Sequence, residues 1–331
     1  MPWTSAYASK MSASVVVSGA SGFVGRHLCA DLTSRGYQVE ALVRRPGSSP
    51  DCVAAEHVVG DLALRPALRP LLSRAAAVVH CAGLAAAPKK EQKALYERLD
   101  AANVQATVWL AEEAAAAGAG RFLFLSSAKV HGEQTAVGDA ISEARMPQPQ
   151  GLYAQSKLDA ERRLVRLSVQ RRLPLVVIRP PLLYGPGVSG NMLRLLRLVD
   201  SGMPLPFAGV DNRRSLLAID NLCDFIAVAL VNPAAAGETF LVSDQSAVST
   251  TEMIIAMADA LRRPARLVHV PPAILHLLGT GGPLARARDR LFGSFLLDTT
   301  KAKTDLGWVA PVSLDDALER MARWYCDNVR G

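Results

Sequence analysis

A glycine-rich turn directly after the first strand-like segment restricts this chain more than any other feature of its sequence. The apolar run Ser14–Ser18 leads straight into Gly19-Ala-Ser21-Gly22-Phe23-Val24-Gly25, where a helical pattern opens. Such a turn needs glycine where a Cβ would clash, and it brings backbone N–H groups at a helix N-terminus close to a pyrophosphate. The spacing therefore predicts that these seven residues form a dinucleotide-binding turn.

The first half of the chain alternates short β-branched runs with longer helical patterns. This alternation predicts βαβ units, a parallel sheet with helices on both faces, and right-handed connections. The expected fold class is α/β, a Rossmann doubly wound parallel sheet with a smaller C-terminal α+β substrate lobe. Strands are predicted at Ser14–Ser18, Gln38–Val43, His57–Val59, Ala77–His80, Phe122–Ser126 and Leu175–Ile178, and helices at Phe23–Arg35, Leu64–Ser73, Leu95–Ala117 and Tyr153–Arg172.

The pattern changes after Arg179, where prolines and glycines crowd together and break regular structure. Residues 14–180 are therefore predicted to form the dinucleotide-binding domain, and residues 181–331 mainly the substrate lobe. The helical pattern Asn221–Val231 and the strand-like run Thr239–Val242 are expected to return to the main sheet. Residues 1–13 are expected to be a polar leader, with Met11 as an alternative start.

Composition excludes several classes of protein. Half of the 331 residues are apolar, which is ample for a large core and unlike a disordered chain. The formal charge of +7 favours anionic ligands such as phosphates, nucleotides or an acidic membrane surface. No basic stripe with interleaved aromatic residues indicates nucleic acid. The five cysteines include no C-x-x-C pair, which argues against a disulfide framework or a metal site and fits a reducing cytosol.

No uninterrupted apolar stretch is as long as the roughly 20 residues that a transmembrane helix needs. We therefore expect a cytoplasmic protein without an integral membrane segment. The short apolar segment Pro271–Leu278 is expected to be a helix of the substrate lobe, and a membrane-surface contact is the alternative.

An arginine, Arg44, stands where the second strand is predicted to end. Proteins that bind NAD usually have an acidic residue here, which accepts from the ribose 2′-OH, whereas an arginine suits the 2′-phosphate of NADP. NADP is therefore the expected cofactor, with Arg44 as its anchor, and NAD with Arg44 stacked on the adenine is the alternative. Asp61 and Leu62 follow the third strand, where an acidic residue can meet the adenine amino group. A surface turn is the competing interpretation of that pair.

Three side chains with complementary proton chemistry follow in the order serine, tyrosine, lysine. Ser127 ends a strongly apolar strand, and Tyr153 and Lys157 open a helix one turn apart, so they share one face. A free tyrosine has a pKa of about 10 and is a poor base at neutral pH. A nearby ammonium group and the positive nicotinamide ring favour the phenolate and lower that pKa toward a useful range. We predict that these residues are catalytic, with Ser127 on the reacting oxygen and Lys157 on the nicotinamide ribose.

In this order the motifs resemble those of the extended short-chain dehydrogenases/reductases, a group of nucleotide-sugar epimerases, dehydratases and ketoreductases. The resemblance covers nearly the whole chain past Ser12. It rests on Gly19-x-x-Gly22-x-x-Gly25, His80-Cys-Ala-Gly83, Asn103-Val-Gln-Ala-Thr107, Ser126-Ser127, Tyr153-x-x-x-Lys157 and Arg179-Pro-Pro-x-x-Tyr184-Gly-Pro-Gly187. It implies an NAD(P)-dependent oxidoreductase or epimerase.

The resemblance also implies roles for individual residues. Ala82, Gly83 and Pro180 would lie at the cofactor, with Pro180 against the nicotinamide, and Asn103 would support the active-site helix. Helices 95–117 and 153–172 would form the interface of a homodimer. The sequence departs from the family at His131, which replaces a tyrosine and is expected to be a surface or cleft-edge substitution rather than a second proton carrier.

Another departure is that Ala128 and Lys129 stand where the family's dehydratases have an acidic pair. This argues against a 4,6-dehydratase.

In the second half the resemblance points to residues that would hold the diphosphate of a nucleotide-sugar. Arginine grips such a group bidentately, and Arg214 falls on the family position, with an exposed basic turn as the alternative. Asn191 matches a family asparagine near the same phosphates. Arg290 is the candidate for a second arginine, with Arg288 as its alternative.

The leading hypothesis is chemistry at C4 of a UDP- or dTDP-linked hexose. A 4-ketoreductase that makes a 6-deoxy-N-acetylhexosamine nucleotide for O-antigen polysaccharide is favoured, because Arg44 indicates an exchanging NADP(H) and the second lobe resembles bacterial enzymes of that kind. The alternatives are a UDP-hexose or UDP-N-acetylhexosamine 4-epimerase and a reductase of a non-sugar carbonyl. A non-catalytic protein on the same fold is disfavoured because both Tyr153 and Lys157 are present.

Overall fold

The computed structural model describes residues 14–85, 92–136, 138–269 and 292–330. Its strands are β1 (Ser14–Ser18), β2 (Gln38–Val43), β3 (Ala55–Val58), β4 (Ala75–His80), β5 (Phe122–Leu125), β6 (Ala140–Ile141), β7 (Leu175–Arg179), β8 (Leu182–Tyr184), β9 (Leu216–Ala218), β10 (Thr239–Leu241) and β11 (Leu296–Leu297). Its helices are α1 (Phe23–Ser34), α2 (Arg69–Leu72), α3 (Gln92–Leu99), α4 (Ala106–Ala117), α5 (Leu152–Arg171), α6 (Gly190–Asp200), α7 (Ile219–Val231), α8 (Thr250–Ala260), α9 (Thr300–Leu306) and α10 (Leu314–Asn328).

A seven-stranded parallel sheet forms the centre of the fold, in the order β10-β7-β5-β4-β1-β2-β3. The order reverses at β1, because the chain builds outward through β2 and β3 on one side and through β4, β5, β7 and β10 on the other. Ligands of such sheets bind outside the carboxyl ends of the strands at this reversal. The predicted Rossmann fold is therefore confirmed, and the reversal lies where the glycine turn leaves β1.

Side chains that alternate along the strands fill two apolar cores, one on each face of the sheet. Val15 and Val17 of β1 point into the core that α1 and α7 cover, whereas Val16 points into the core beneath α4 and α5. Strands buried on both faces are what a sheet covered by crossover helices requires. A separate core lies in the smaller lobe, between α6, α8 and α10.

The predicted elements agree closely with the structure except for the helix predicted at Leu64–Ser73 and for a π-helical segment within the helix predicted at Leu95–Ala117. The segment Leu64–Ser73 was expected to be one helix, but it contains a 3-10 turn at Leu62–Leu64 and a single helical turn at α2. Pro66 explains the difference, since proline in a helix interior removes a backbone hydrogen bond and clashes with the preceding turn. Pro70 is tolerated because it stands in the first turn of α2.

Two segments from the second half of the chain return to the main sheet. Strand β10 pairs with β7 at the edge of the sheet, and α7 packs against α1. The leader, residues 1–13, and the apolar segment Pro271–Leu278 lie outside the described residues. None of the described helices is both long and apolar enough to cross a lipid bilayer.

A buried carboxylate joins the two lobes. Asp244 follows β10 and accepts hydrogen bonds from the Tyr184 hydroxyl (2.7 Å), the Ala218 backbone N–H (3.0 Å) and the Asn221 side-chain amide (2.7 Å). These donors come from the ends of β8 and β9 and from α7. Asp244 therefore fixes the small sheet of the second lobe against the main sheet.

Replacing Asp244 with alanine is expected to destabilise the protein by about 3 kcal/mol or more, because it leaves three buried donors without an acceptor. Tyr184→Phe removes only one of these bonds and is expected to cost about 1 kcal/mol. Asp259→Ala, on the exposed face of α8, serves as the control. Urea unfolding measures all three, and equal midpoints for the Asp244 and Asp259 variants would contradict the assigned role.

Candidate active site

The glycine turn holds α1 against the carboxyl ends of β1 and β4 at distances that no other residue allows. A Cβ on Gly25 would stand 2.1 Å from the carbonyl oxygen of Gly19. A Cβ on Gly19, which has a φ of +74°, would stand 2.6 Å from the backbone nitrogen of Ala82. Each of these separations lies far inside van der Waals contact with backbone atoms. Helix, strand and the loop after β4 therefore meet directly at this turn.

The N-terminus of α1 suits an anionic ligand. Gly22 is its N-cap residue, in an extended conformation and with no side chain to cap the helix. The first N–H groups of a helix have no partner within it, and the helix dipole adds partial positive charge there. The turn and the helix N-terminus thus fit the pyrophosphate of a dinucleotide, in which Ser21, Phe23 and Val24 would line the same cradle.

Other predicted cofactor residues surround this turn. Arg44 is exposed just beyond β2. Asp61 is also exposed, and its carboxylate caps the following 3-10 turn by accepting from the Ala63 N–H at 3.0 Å, while Leu62 is buried. Asp61 therefore lies in a turn at the surface. Pro180 is buried and accepts from the Ala128 N–H at 2.9 Å, which ties the loop after β7 to the segment after β5.

The three predicted catalytic residues come together at the carboxyl end of β5. Ser127 is the N-cap residue of the 3-10 turn Ala128–His131, and its hydroxyl is hydrogen-bonded to Tyr153 in the first turn of α5. Lys157, one turn later, is buried, and its ammonium group donates to the carbonyl oxygen of Leu125 at 2.8 Å. The same ammonium group lies 4.7 Å from the centre of the Phe124 ring, within range of a cation–π interaction.

Lys157 also reaches the loop after β4. A Cβ on Gly83 would stand 3.2 Å from the lysine nitrogen and 3.2 Å from the Asn103 side-chain oxygen. Glycine at this position lets the loop lie close to both groups. The loop with Ala82 and Gly83 therefore connects the glycine turn to the catalytic helix.

Burial controls the protonation of both catalytic groups. It raises the pKa of Tyr153, and the hydrogen bond with Ser127 opposes that rise. It lowers the pKa of Lys157 from 10.5 to about 8. The sequence argument expected a lowered tyrosine pKa. The structure differs because the loss of solvation around the phenol outweighs its polar neighbours.

Asn103 lies in a π-helical segment, Asp100–Gln105, between α3 and α4. Its side-chain oxygen accepts from the Leu84 N–H at 2.7 Å, and its amide donates to the Leu84 carbonyl oxygen at 3.1 Å and to the Ser156 hydroxyl at 2.9 Å. Ser156 lies on α5 between Tyr153 and Lys157. Asn103 therefore joins the loop after β4 to the catalytic helix, and π-helical turns often occur at such sites.

A second buried chain of hydrogen bonds starts at the end of β1. The nitrogen Nδ1 of His80 lies 2.5 Å from the Ser18 hydroxyl, and Nε2 lies 2.8 Å from the Thr107 hydroxyl, which itself donates to the Asn103 carbonyl oxygen at 2.7 Å. Burial, together with the charge of Lys157, lowers the pKa of His80 to about 3, so the imidazole is neutral. The motif containing His80 was recognised in the sequence, but nothing there indicated that it supports Asn103.

A third buried group lies beneath Ser127. The carboxylate of Glu161 forms an ion pair with Arg179 at 2.6 Å and accepts a hydrogen bond from the Ser126 hydroxyl. Arg179 also donates to Nε2 of His131 at 2.9 Å. The prediction that His131 lies at a surface or cleft edge is therefore wrong, because the arginine holds it in the interior and only 6% of it is exposed.

Burial and the charge of Arg179 lower the pKa of His131 to about 4, so this side chain is neutral. Glu161 was not predicted from the sequence, although it stands one turn beyond Lys157 on the same helix face as Tyr153. The spacing of these three residues was the signal that would have identified it.

The predicted substrate residues that the structure describes lie in the second lobe, and they differ in exposure and in hydrogen-bond partners. Asn191 is exposed in the first turn of α6. The guanidinium group of Arg214 is partly buried and donates to the Gly293 carbonyl oxygen at 2.7 Å. Its neighbour Arg213 forms an exposed ion pair with Glu252 at 3.0 Å. Arg290 lies outside the described residues.

Comparison with known proteins agrees with this geometry. The model of the NAD dependent epimerase/dehydratase family matches residues 15–243. The UDP-glucose 4-epimerase of Vibrio cholerae is 37% identical over 321 residues, which are 96% of each chain. The ceramide reductase of Caulobacter vibrioides is 30% identical over 276 residues, 82% of this chain and 77% of that protein. The solved structure of MoeE5 with UDP-glucuronic acid and NAD has a TM-score of 0.76 at 25% identity, covering 96% of this chain and 100% of that one.

Lys157→Met is expected to stabilise the folded protein by about 2 kcal/mol at pH 7 while it removes activity. The lowered pKa means that the folded protein binds the lysine proton less tightly than the unfolded chain does, so the buried charge weakens folding. The destabilisation of the wild type by its buried charge is expected to decrease as the pH rises from about 8 to 10.5. The difference in free energy of unfolding between the variant and the wild type is expected to decrease with it. Urea unfolding over that range measures it, with the exposed Lys303→Met as the control. A variant less stable than the wild type at pH 7 would contradict the expectation.

Proposed function

Because the chain belongs to the NAD-dependent epimerase/dehydratase family, we propose that it is an NAD-dependent 4-epimerase of a nucleotide-linked hexose. The observation that carries this proposal is the hydrogen-bonded Ser127–Tyr153 pair, with Lys157 one turn on, at the carboxyl ends of the strands beside the dinucleotide turn. The near-complete overlap with a UDP-glucose 4-epimerase supports the choice of reaction.

Each residue of the site has a role in such a reaction. A bound NAD would supply the acceptor and donor of hydride at C4. Tyr153 would take the proton of the 4-hydroxyl group and later return it, so that the net reaction is an isomerisation without consumption of cofactor. Ser127 would hold the reacting oxygen, and the buried ammonium group of Lys157 would favour the phenolate and bind the nicotinamide ribose.

A 4-ketoreductase, which the sequence favoured, is the second candidate function. It rests on Arg44, whose exposed position beyond β2 leaves it free to meet a 2′-phosphate. A reductase of a non-sugar carbonyl stands third, and the likeness to a ceramide reductase supports it. We give the epimerase precedence because the likeness to the epimerase is higher in identity and covers more of both chains.

The substrate and its surroundings complete the proposal. Arg214 and Asn191 would hold the diphosphate of the nucleotide. Arg290, which is not among the described residues, would be a second arginine for the same group. The epimerised sugar would serve bacterial surface polysaccharide, and the enzyme would act in the cytoplasm as a homodimer. The exposed side chains of Val165 (49%) and Val169 (77%) on α5 support an interface there, as does Tyr96 (51%) on α3.

The purified protein is expected to interconvert UDP-glucose and UDP-galactose, or the corresponding N-acetylhexosamines, without added cofactor. Tyr153→Phe is expected to lower the rate 100- to 10,000-fold, the usual range for loss of a general acid–base. Tyr325→Phe, which likewise removes one phenol hydroxyl but on α10 of the second lobe, is the matched control. Chromatography of the sugar nucleotides measures the product. Turnover only with added NADPH, giving a reduced product, would favour the ketoreductase instead.

The finer cofactor proposal is that Arg44 lets the site take NADP as well as NAD. Arg44→Ala is then expected to weaken NADP binding about tenfold, the effect of losing one charged hydrogen bond of about 1.5 kcal/mol, and to leave NAD binding within about twofold. Arg74→Ala, at another exposed arginine, controls for overall charge. Calorimetric titration with each dinucleotide measures the change. Equal losses for both would show that Arg44 stacks on the adenine without selecting.

A further inference from the structure

A basic and apolar surface lies at the carboxyl end of α6, remote from the catalytic residues. We propose that this surface docks the enzyme on an anionic lipid bilayer. We call it the α6 patch and define it by its exposed side chains, which are Arg194, Arg197, Leu198, Met203, Arg262, Arg263, Arg266, Val268 and Arg330.

Contacts around Asp200 gather these residues from three separate parts of the chain. Asp200, the last residue of α6, forms ion pairs with Arg263 at 3.4 Å and with Arg330 at 3.2 Å. The guanidinium group of Arg266 donates to the Gly202 carbonyl oxygen at 3.3 Å. Arg194 and Arg197 precede Asp200 by one to two turns on the same helix. These contacts therefore hold Arg263, Arg266 and Arg330 around the carboxyl end of α6.

A short parallel bridge fixes the remaining members. The Leu205 N–H donates to the Arg266 carbonyl oxygen at 2.8 Å, and the Val268 N–H donates to the Leu205 carbonyl oxygen at 2.9 Å. Met203 lies two residues before Leu205. The two exposed apolar side chains, Met203 and Val268, are thus held beside Arg266 by backbone hydrogen bonds rather than by a free loop.

The patch carries an excess of positive charge. Its six arginines outnumber the carboxylates that pair with them, because among the described residues only Asp200 forms ion pairs with patch arginines. Asp200 is shared by two of the arginines. No carboxylate among the described residues forms an ion pair with Arg194, Arg197 or Arg262. Such unneutralised arginines attract an anionic lipid surface, and each strengthens the attraction several-fold.

Apolar side chains separate the arginines, which favours a bilayer over other anionic partners. Leu198 is 43% exposed, Met203 58% and Val268 44%. Side chains of this kind enter the boundary between headgroups and acyl chains while the arginines stay at the phosphates. The patch contains no exposed phenylalanine, tyrosine or tryptophan on which bases of a nucleic acid would stack.

The placement of the patch leaves the active site accessible. Helix α6 has 11 residues and is therefore about 16 Å long. Its N-terminal end, with Asn191, follows the loop after Pro180, whereas the patch begins one turn later at Arg194 and extends beyond the carboxyl end of the helix. A bilayer on the patch would hold the cleft near the membrane without covering it. This inference does not depend on which sugar the enzyme takes.

The test is flotation of the full-length protein with lipid vesicles. Wild-type protein is expected to bind vesicles of phosphatidylcholine mixed with phosphatidylglycerol and not vesicles of phosphatidylcholine alone. Salt at about 0.5 M is expected to release it, because screening weakens exposed charges. Arg194→Glu combined with Arg197→Glu is expected to weaken partitioning at least about tenfold. Leu198→Ser combined with Met203→Ser is expected to weaken it several-fold without any change of charge.

The matched control is Arg74→Glu combined with Lys303→Glu, which changes the net charge by the same amount at two exposed positions outside the patch and the proposed dimer interface. This control is expected to bind vesicles like the wild type. The proposal is overturned if the wild type ignores anionic vesicles, if both double reversals weaken binding equally, or if the protein binds a short DNA duplex but no vesicles. Thermal unfolding of each variant distinguishes loss of binding from loss of folding.

Discussion

The close contact between Gly25 and the carbonyl oxygen of Gly19 is the constraint on which most of the structure depends. It sets the distance between α1 and β1, since any side chain at Gly25 would push the helix off the sheet. Helix α1 then buries Leu28 and Leu32 in the core that it shares with α7. Helix α7 packs against α1 and begins directly after β9 of the second lobe. The position of α1 therefore also determines the position of the second lobe on the substrate side of the cleft.

The site also depends on three charged side chains that are buried in the interior. Lys157, Glu161 and Arg179 are each no more than about 7% exposed, and they lie within one region of the interior. Removing charges from water weakens folding unless partners compensate, and here Leu125, Ser126 and His131 supply the hydrogen bonds. Groups held in this way need little rearrangement during reaction, which is how an enzyme stabilises developing charge.

The sequence predicted the fold well, for local reasons, and it singled out the three side chains that the structure brings together at the end of β5. Strong alternation of strands and helices, and glycines that only one kind of turn requires, are visible in a short window of residues. The helix predicted at Leu64–Ser73 failed because Pro66 was given too little weight. The predicted position of His131 was wrong because its hydrogen-bond partner Arg179 is distant in sequence and is brought close only by the pairing of β5 with β7. Glu161 was missed although its spacing from Tyr153 and Lys157 was visible, and only its ion pair with Arg179 needed the folded sheet. The contact of Lys157 with the Leu125 carbonyl oxygen could not be predicted from the sequence, because it needs the folded sheet.

The chain of hydrogen bonds from Ser18 to Asn103 has a consequence for the path of protons. Because the Thr107 hydroxyl donates to a carbonyl oxygen, it must accept from Nε2 of His80, and Nδ1 must then accept from the Ser18 hydroxyl. Every dipole in the chain therefore points the same way, and the last acceptor is an amide oxygen, which cannot pass a proton on. The chain therefore holds Asn103 rigidly in place, and it cannot carry a proton from the end of β1 to the catalytic helix.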